Sequence, residues 1–222
     1  MQSKYNTWYH PYKISEDYSK KVAYFSMEFG IDQALKIYSG GLGFLAGSHM
    51  RSSFELRQNV IGIGMLWKFG YYDQARNDDQ TLRTDFIEKT YDFLEDTGIE
   101  VEVKLHDNAH VKVKAYVLKP EIFGTVPIYL LSVDVEGNDF ISKTITNSLY
   151  DANELTRISQ SIVLGIGGAK VVEALGGADV YHLNEGHALP ALYYLRDQGV
   201  KKKQMVFTTH TPEKAGNDER DA

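Results

Sequence analysis

The sequence predicts an α/β protein with a Rossmann-like, mostly parallel sheet and an antiparallel β excursion. Three observations carry this reading. Short apolar and aromatic runs at 22–27 (VAYFSM), 60–67 (VIGIGMLW) and 178–183 (ADVYHL) have the look of buried strands. Helical stretches separate strand-like runs at both ends of the chain, the alternation that builds a parallel sheet. The middle, 99–118, instead alternates residue by residue, as an antiparallel hairpin does.

Each element follows from its residues. After the strand at 22–27, a glycine-punctuated loop ends in Ser39-Gly40-Gly41-Leu42-Gly43. A helix over 44–58 places Leu45, Met50 and Phe54 at near-helical spacing and leaves Arg51, Glu55 and Arg57 for a wet face. The run 60–67 closes a strand–loop–helix–strand unit. Strands at 99–105 (IEVEVKL) and 110–118 (HVKVKAYVL) flank the turn-forming His106-Asp107-Asn108-Ala109. A further strand spans 126–135, with Pro127 suited to its start or to an edge. A long helix covers 152–175, its middle weakened by Gly165, Gly167 and Gly168. After the strand at 178–183, a helix over 186–197 tolerates Pro190 only near its first turn. The run 204–209 (QMVFTT) is the last strand.

Composition excludes several function classes. The 222 residues suit a single domain and show no repeat or linker. With 24 basic and 30 acidic residues the formal net charge is −6, which offers no basic excess for nucleic acid. There is no cysteine, so disulfides and thiolate metal sites are out, and a reducing cytoplasmic location is the expectation. The longest apolar runs are about 8 residues, against the ~20 that a spanning helix needs. The polar, aromatic amino terminus lacks the apolar stretch of a secretory signal.

In a parallel sheet ligands bind at the carboxyl ends of the strands, so candidate residues are sought there. The Ser39–Gly43 loop opens a helix; exposed amides at the positive end of the helix dipole favour an anion, phosphate above all. A tight turn packed on the sheet is the equal alternative. In Tyr181-His182-Leu183-Asn184-Glu185-Gly186-His187, a metal set of His182, Glu185 and His187 fails as the lead. Residues five apart on a helix lie roughly 140° around the axis, and the spacing is not that of zinc proteases. Asn184, Glu185 and His187 instead suit a cleft rim that hydrogen-bonds a neutral hydroxylated ligand, against the plainer alternative of an Asn184 helix cap. Thr208-Thr209-His210-Thr211-Pro212, with Gly216-Asn217-Asp218 beyond, also follows a strand. Tyr150-Asp151-Ala152-Asn153-Glu154 precedes the long helix, as a gate over substrate or as an ordinary cap. His106 and His110 read as solvent-facing strand ends.

Together, 22–53, 62–74, 146–176, 179–192 and 206–218 resemble, in order, segments of the α-glucan (glycogen/maltodextrin) phosphorylases, particularly the shorter bacterial type. The resemblance implies transfer of the terminal glucosyl unit of an α-1,4-glucan to inorganic phosphate, giving glucose 1-phosphate with retention. It implies two Rossmann-like domains facing across a cleft, the GT-B arrangement, with pyridoxal phosphate on a lysine of the carboxyl-terminal one. Gly40, Gly41 and Gly43, with Leu42 between, match the loop presented to phosphate. His187 matches the family histidine that hydrogen-bonds the glucosyl unit, the catalytic candidate, and Asn184 shares its motif. Tyr150 and Asp151 fall near the gating loop, which is short here, and His210 lies in a segment near the cleft. No metal is implied.

The resemblance assigns 1–222 to the amino-terminal domain, without the carboxyl-terminal domain and its cofactor lysine. The expectation is a chain inactive alone, whose uncovered cleft face favours self-association into a homo-oligomer. Two alternatives stay open: a non-catalytic glucan-binding module, and a fragment of a glycogen/starch synthase-like glycosyltransferase. The HLNEGHA and TTHTP runs favour the phosphorylase.

Overall fold

The apolar run after Lys21 becomes β1 (Val22–Phe25), an interior strand of the main sheet. The computed structural model describes residues 4–106 and 109–213. From β1 the chain passes through α1 (Gly41–Glu55) to β2 (Val60–Met65), whose six residues are all buried. A short ribbon, β3 (Asp73–Arg76) with β4 (Leu82–Asp85), stands apart as its own sheet. Then come the long β5 (Leu94–His106) and β6 (Ala109–Leu118), α2 (Pro120–Phe123), and β7 (Ile128–Ser132). Next are α3 (Phe140–Lys143), α4 (Glu154–Ile162), a π turn at Val163–Gly167, and α5 (Gly168–Ala174). β8 (Val180–Asn184), a 3-10 turn at Gly186–Ala188, α6 (Pro190–Asp197) and β9 (Met205–Thr208) complete the described chain.

The seven-stranded sheet runs β5-β6-β7-β2-β1-β8-β9. β5, β6 and β7 pair antiparallel, and β7, β2, β1, β8 and β9 pair parallel. The chain steps outward from β1 through β2 to β7, then returns to lay β8 on β1's other side. That reversal makes the β1/β8 boundary a topological switch point, the place where ligands bind in open α/β sheets. Right-handed crossovers place helices on opposite faces for the two directions of travel.

The predicted helix over 44–58 begins three residues earlier, at Gly41, so the last three residues of the glycine loop are its first turn. Leu45 is exposed rather than buried. The inward stripe is Gly43, Ala46, Gly47, Met50 and Ser53, small residues that bring the helix axis close to the chain beneath. Arg51 is not on a wet face: its guanidinium donates to the carbonyls of Ile31 (2.5 Å) and Phe123 (2.7 Å). The expected strands at 22–27, 60–67 and 126–135 are each shorter, and Trp67 lies beyond β2, fully buried, with Nε1 donating to Met27 O at 3.1 Å. The predicted long helix is α4, the π turn and α5. A Cβ on Gly165 would lie 2.7 Å from Ala191 N, so this glycine serves close helix packing. The predicted helix over 186–197 divides, and Pro190 opens α6 at a position that needs no amide donor. Asp107, Asn108, Gly216, Asn217 and Asp218 lie outside the described residues.

Candidate functional site

The carboxyl ends of β1, β8 and β9 meet in one polar network. Just past β1, Ser26 donates from Oγ to Glu28 O (2.9 Å) and accepts from Asn184 Nδ2 (3.2 Å). Asn184 Oδ1 lies 3.0 Å from His210 Nε2, a contact that assigns the His210 proton to Nε2. The Glu185 carboxylate accepts from the His210 amide and from Thr209 Oγ1 (3.1 Å), and its own amide donates to Thr208 O (2.8 Å). Asn184 and Glu185 are 1% and 8% exposed, so both act from behind the surface. Asn184 is engaged at both ends of its amide and orients His210. Glu185 fixes the backbone on which His210 stands, and is itself held at φ 62°, ψ −177°.

The glycine loop is organised by a residue outside the sequence-predicted set. Glu28, 2% exposed, accepts from the amides of Ser39 (2.6 Å) and Gly40 (3.2 Å) through Oε2. Its other oxygen accepts from the Tyr150 hydroxyl at 2.6 Å. Gly43 has no room for a side chain, because a Cβ would sit 2.7 Å from Tyr38 Cβ and 2.8 Å from Glu28 Oε2. Gly40 and Gly41 face open space, with nothing within 4 Å of an added Cβ. Helix geometry leaves the first-turn amides of Gly41, Leu42 and Gly43 without intrahelical acceptors, at the positive end of the α1 dipole. Part of the predicted anion cradle is thus filled by the protein's own carboxylate; of the rest, Gly41 is exposed, Leu42 half-buried and Gly43 buried.

Tyr150 adopts a left-handed backbone (φ 57°), which turns its ring toward this corner. Its centroid lies 6.2 Å from that of Tyr71 and 6.0 Å from that of His187. Burial, then the Glu28 charge and hydrogen bond, push its hydroxyl well above the usual tyrosine range. His187 is half-buried in the 3-10 turn after β8. Asp151 does not join this cluster through its carboxylate, which accepts from Asn153 N (2.8 Å), while its carbonyl accepts from Arg157 (3.1 Å). Asn153, not Asp151, caps α4. Beside the glycine loop a groove of about 460 Å³ is lined by Lys36, Tyr38, Ser39, Tyr71, Tyr72 and Lys89.

Behind the network, His182 hydrogen-bonds Thr208 Oγ1 (2.7 Å), and its ring packs edge-on to Tyr24. Burial, with His49 and His210 nearby, pushes its pKa down to about 4; burial alone lowers His49. His10, elsewhere, is also pushed to about 4, mainly by burial. The unfolded chain therefore binds protons below the ordinary histidine value of ~6.5 while the folded chain resists them down to about 4. Stability is full above that range and falls as pH drops through it. Urea denaturation at pH 7, 6, 5 and 4 should show the midpoint decreasing, and His182→Gln should flatten part of the slope. Among the described residues no group of three His, Cys, Asp or Glu side chains is placed to hold a metal ion, and no helix is long and apolar enough to cross a membrane.

The structure brings Gly40, Gly43, Tyr150, Asn184, His187 and His210 together from distant parts of the chain around one corner. Ser26 and Glu28 escaped the sequence reading. Their only signal was position, as polar residues at the carboxyl end of the first apolar run.

No family model matches the chain. It is 48% identical over 205 residues to an uncharacterized protein of Methanocaldococcus jannaschii, covering 91% of this chain and 39% of that one. It is 35% identical over 229 residues to the glycogen phosphorylase of Mycobacterium tuberculosis, covering 89% and 26%. Against the maltodextrin phosphorylase of Thermococcus litoralis the figures are 36% over 237 residues, 96% and 27%. The chain spans about a quarter to two-fifths of the length of the curated relatives it matches. Across nearly its whole length, then, this chain shares a family relationship with the glycogen and maltodextrin phosphorylases.

Proposed function

We propose that the chain is one wall of a glucan phosphorylase active site, the amino-terminal domain (1–222) of a GT-B type glycosyltransferase working in the cytoplasm. The substrates are an α-1,4-glucan and inorganic phosphate, and the product is glucose 1-phosphate. The observation that carries this reading is the polar network past β1 and β8, in which Ser26 bonds Asn184 and Asn184 bonds His210, while Glu28 holds the amides of Ser39 and Gly40 just ahead of α1.

His210, steadied by Asn184 and Glu185, and His187 face the glucosyl unit as hydrogen-bonding groups. Tyr150 and Tyr71 exclude water from the reacting centre. The first-turn amides of Gly41, Leu42 and Gly43 hold phosphate. A transition state with developing positive charge beside a phosphate gains most from fixed dipoles and a dry cleft, which is what this wall offers. Pyridoxal phosphate, when bound, supplies a phosphate group for proton transfer. The open faces of Gly40 and Gly41 leave room for such a group, and the Glu28 carboxylate behind them is a like charge that cations of a second wall must offset. Hence the chain alone is expected to be inactive.

Two assays test the reading. The purified chain with maltooligosaccharide and phosphate should release no glucose 1-phosphate. The same residues, exchanged for the matching segment of the Thermococcus litoralis maltodextrin phosphorylase, should restore phosphate-dependent release. A folded chimera without activity, or an active lone chain, would count against it.

A further inference from the structure

We propose that Glu28 is a positioning residue that latches the Tyr150 turn to the glycine loop, so that the gate and the start of α1 move as one unit. The inference deepens the functional reading and rests on it only for its consequence, since the latch itself is a property of the folded chain.

The geometry is specific. A carboxylate has two oxygens, and each has a separate task here: Oε2 takes the Ser39 and Gly40 amides, and Oε1 takes the Tyr150 hydroxyl. These groups are 122 residues apart at the extremes, and Glu28 is almost wholly buried. A buried carboxylate is tolerated when its oxygens are hydrogen-bonded, and hydrogen bonds to a charge are the strong ones. Withdrawing the Tyr150 hydroxyl leaves one oxygen unsatisfied in a dry pocket, a cost that reaches the two amides sharing the same carboxylate. The latch also accounts for the Tyr150 backbone. A tyrosine at φ 57° is uncommon, and the hydroxyl contact with Glu28 favours keeping it there. Because Gly43 packs directly against Oε2, a shift of Glu28 is transmitted into the first turn of α1.

The consequence is a coupled pair of states. With the latch closed, Tyr150 stands against Tyr71 and His187, and the loop amides are ordered. With it open, Tyr150 swings away and the amides of Ser39 and Gly40 lose their acceptor together. A glucan that displaces Tyr150 would therefore loosen the phosphate side of the same site.

Amide hydrogen exchange on the intact 222-residue chain, resolved by NMR without any ligand, tests this. Tyr150→Phe keeps the ring and removes only the hydroxyl. Exchange at Ser39 and Gly40 should rise about tenfold, the scale expected for loss of a hydrogen bond to a charged group. Ile63, in β2, should not change. Glu28→Gln is the conservative counterpart: its oxygen can still accept from the loop, and its amide can donate to the Tyr150 oxygen. It should therefore stay closer to the parent than Tyr150→Phe. Unchanged exchange at Ser39 and Gly40 in folded Tyr150→Phe would overturn the latch, as would a uniform rise across the chain. Neither result depends on whether the chimera phosphorolyses glucan, so failure of the latch and failure of the functional reading are distinguishable.

Discussion

Gly47→Ala should destabilise the protein more than any other single-methyl insertion along α1, by roughly 3 kcal/mol or more, the upper range for overpacking. The new Cβ would lie 2.0 Å from Gly30 O and 2.7 Å from Gly30 C, both backbone atoms with no rotamer to retreat into. One turn earlier the two segments are tied by Gly30 N donating to Gly43 O at 2.7 Å. Helix and loop therefore cannot separate by the ångström or more that the methyl demands without losing that bond. Alanine's better helix propensity works in the other direction but is worth only about 1 kcal/mol. The clash wins. Gly41→Ala is the matched control, because its Cβ meets nothing within 4 Å, and its effect should be within a few tenths of a kcal/mol of neutral or favourable. Urea denaturation of the two variants decides the matter through midpoint shifts at constant slope. In thermal terms, Gly47→Ala should lose roughly 6–12 °C for a chain of this length. Equal stability of the two variants would show that the crossing is not tight. The functional stake is direct, since this contact sets where the first turn of α1 and its amides stand.

Much of this architecture is legible in the residues, for identifiable reasons. β1, β2 and β8 are buried strands flanked by glycine or polar punctuation, and the alternation at 99–118 admits only a hairpin. The register of α1 was not legible by counting large apolar residues. Leu45 was the natural choice for the core, yet Gly43, Ala46 and Gly47 line the buried stripe because the helix must pass within contact of the Gly30 backbone. No hydropathy pattern announces that demand. The ribbon β3–β4 is polar, and its mostly exposed residues carry no burial signal. The site divides the same way. Asn184, His187 and His210 are legible as polar groups near strand ends and Tyr150 as a residue ahead of the long helix, but which of them bond to one another depends on the strand order. Asn184 and His210 are brought to 3.0 Å because β8 and β9 are parallel neighbours. Glu28 was invisible because one acidic residue after a strand looks like any solvated loop carboxylate. Only the fold shows it buried with three donors.

Glu185 is the position where stability and site geometry are expected to oppose each other most strongly. Its φ of 62° with ψ of −177° falls in a region that is essentially glycine's own, at a cost of order 1–3 kcal/mol for a residue with a Cβ. The structure keeps it there with its amide on Thr208 O and its carboxylate on Thr209 and the His210 amide. Two substitutions separate strain from bonding. Glu185→Ala removes the carboxylate and retains the strain. Glu185→Gly removes both, at the expense of about 0.4–1 kcal/mol of extra unfolded-chain entropy. Both lose the side-chain acceptors equally, so the difference between them isolates the backbone term. Glu185→Gly should be the more stable of the two by about 1 kcal/mol, read from denaturation midpoints. Either change frees the segment that carries His210. The 3.0 Å contact between His210 Nε2 and Asn184 should then weaken, visible as a shifted His210 ring resonance. In the chimeric phosphorylase both variants should lose about 10²-fold in turnover, the scale associated with an ångström's misplacement of a group beside the reacting atoms. If Glu185→Gly proved no more stable than Glu185→Ala, the strain would be no larger than the about 0.4–1 kcal/mol of entropy that glycine adds to the unfolded chain. If both kept full activity, the placement of His210 would not depend on this carboxylate. The expected pattern, stability partly recovered by glycine while turnover is not, would mean that the strain at Glu185 is tolerated because its carboxylate holds His210 in place.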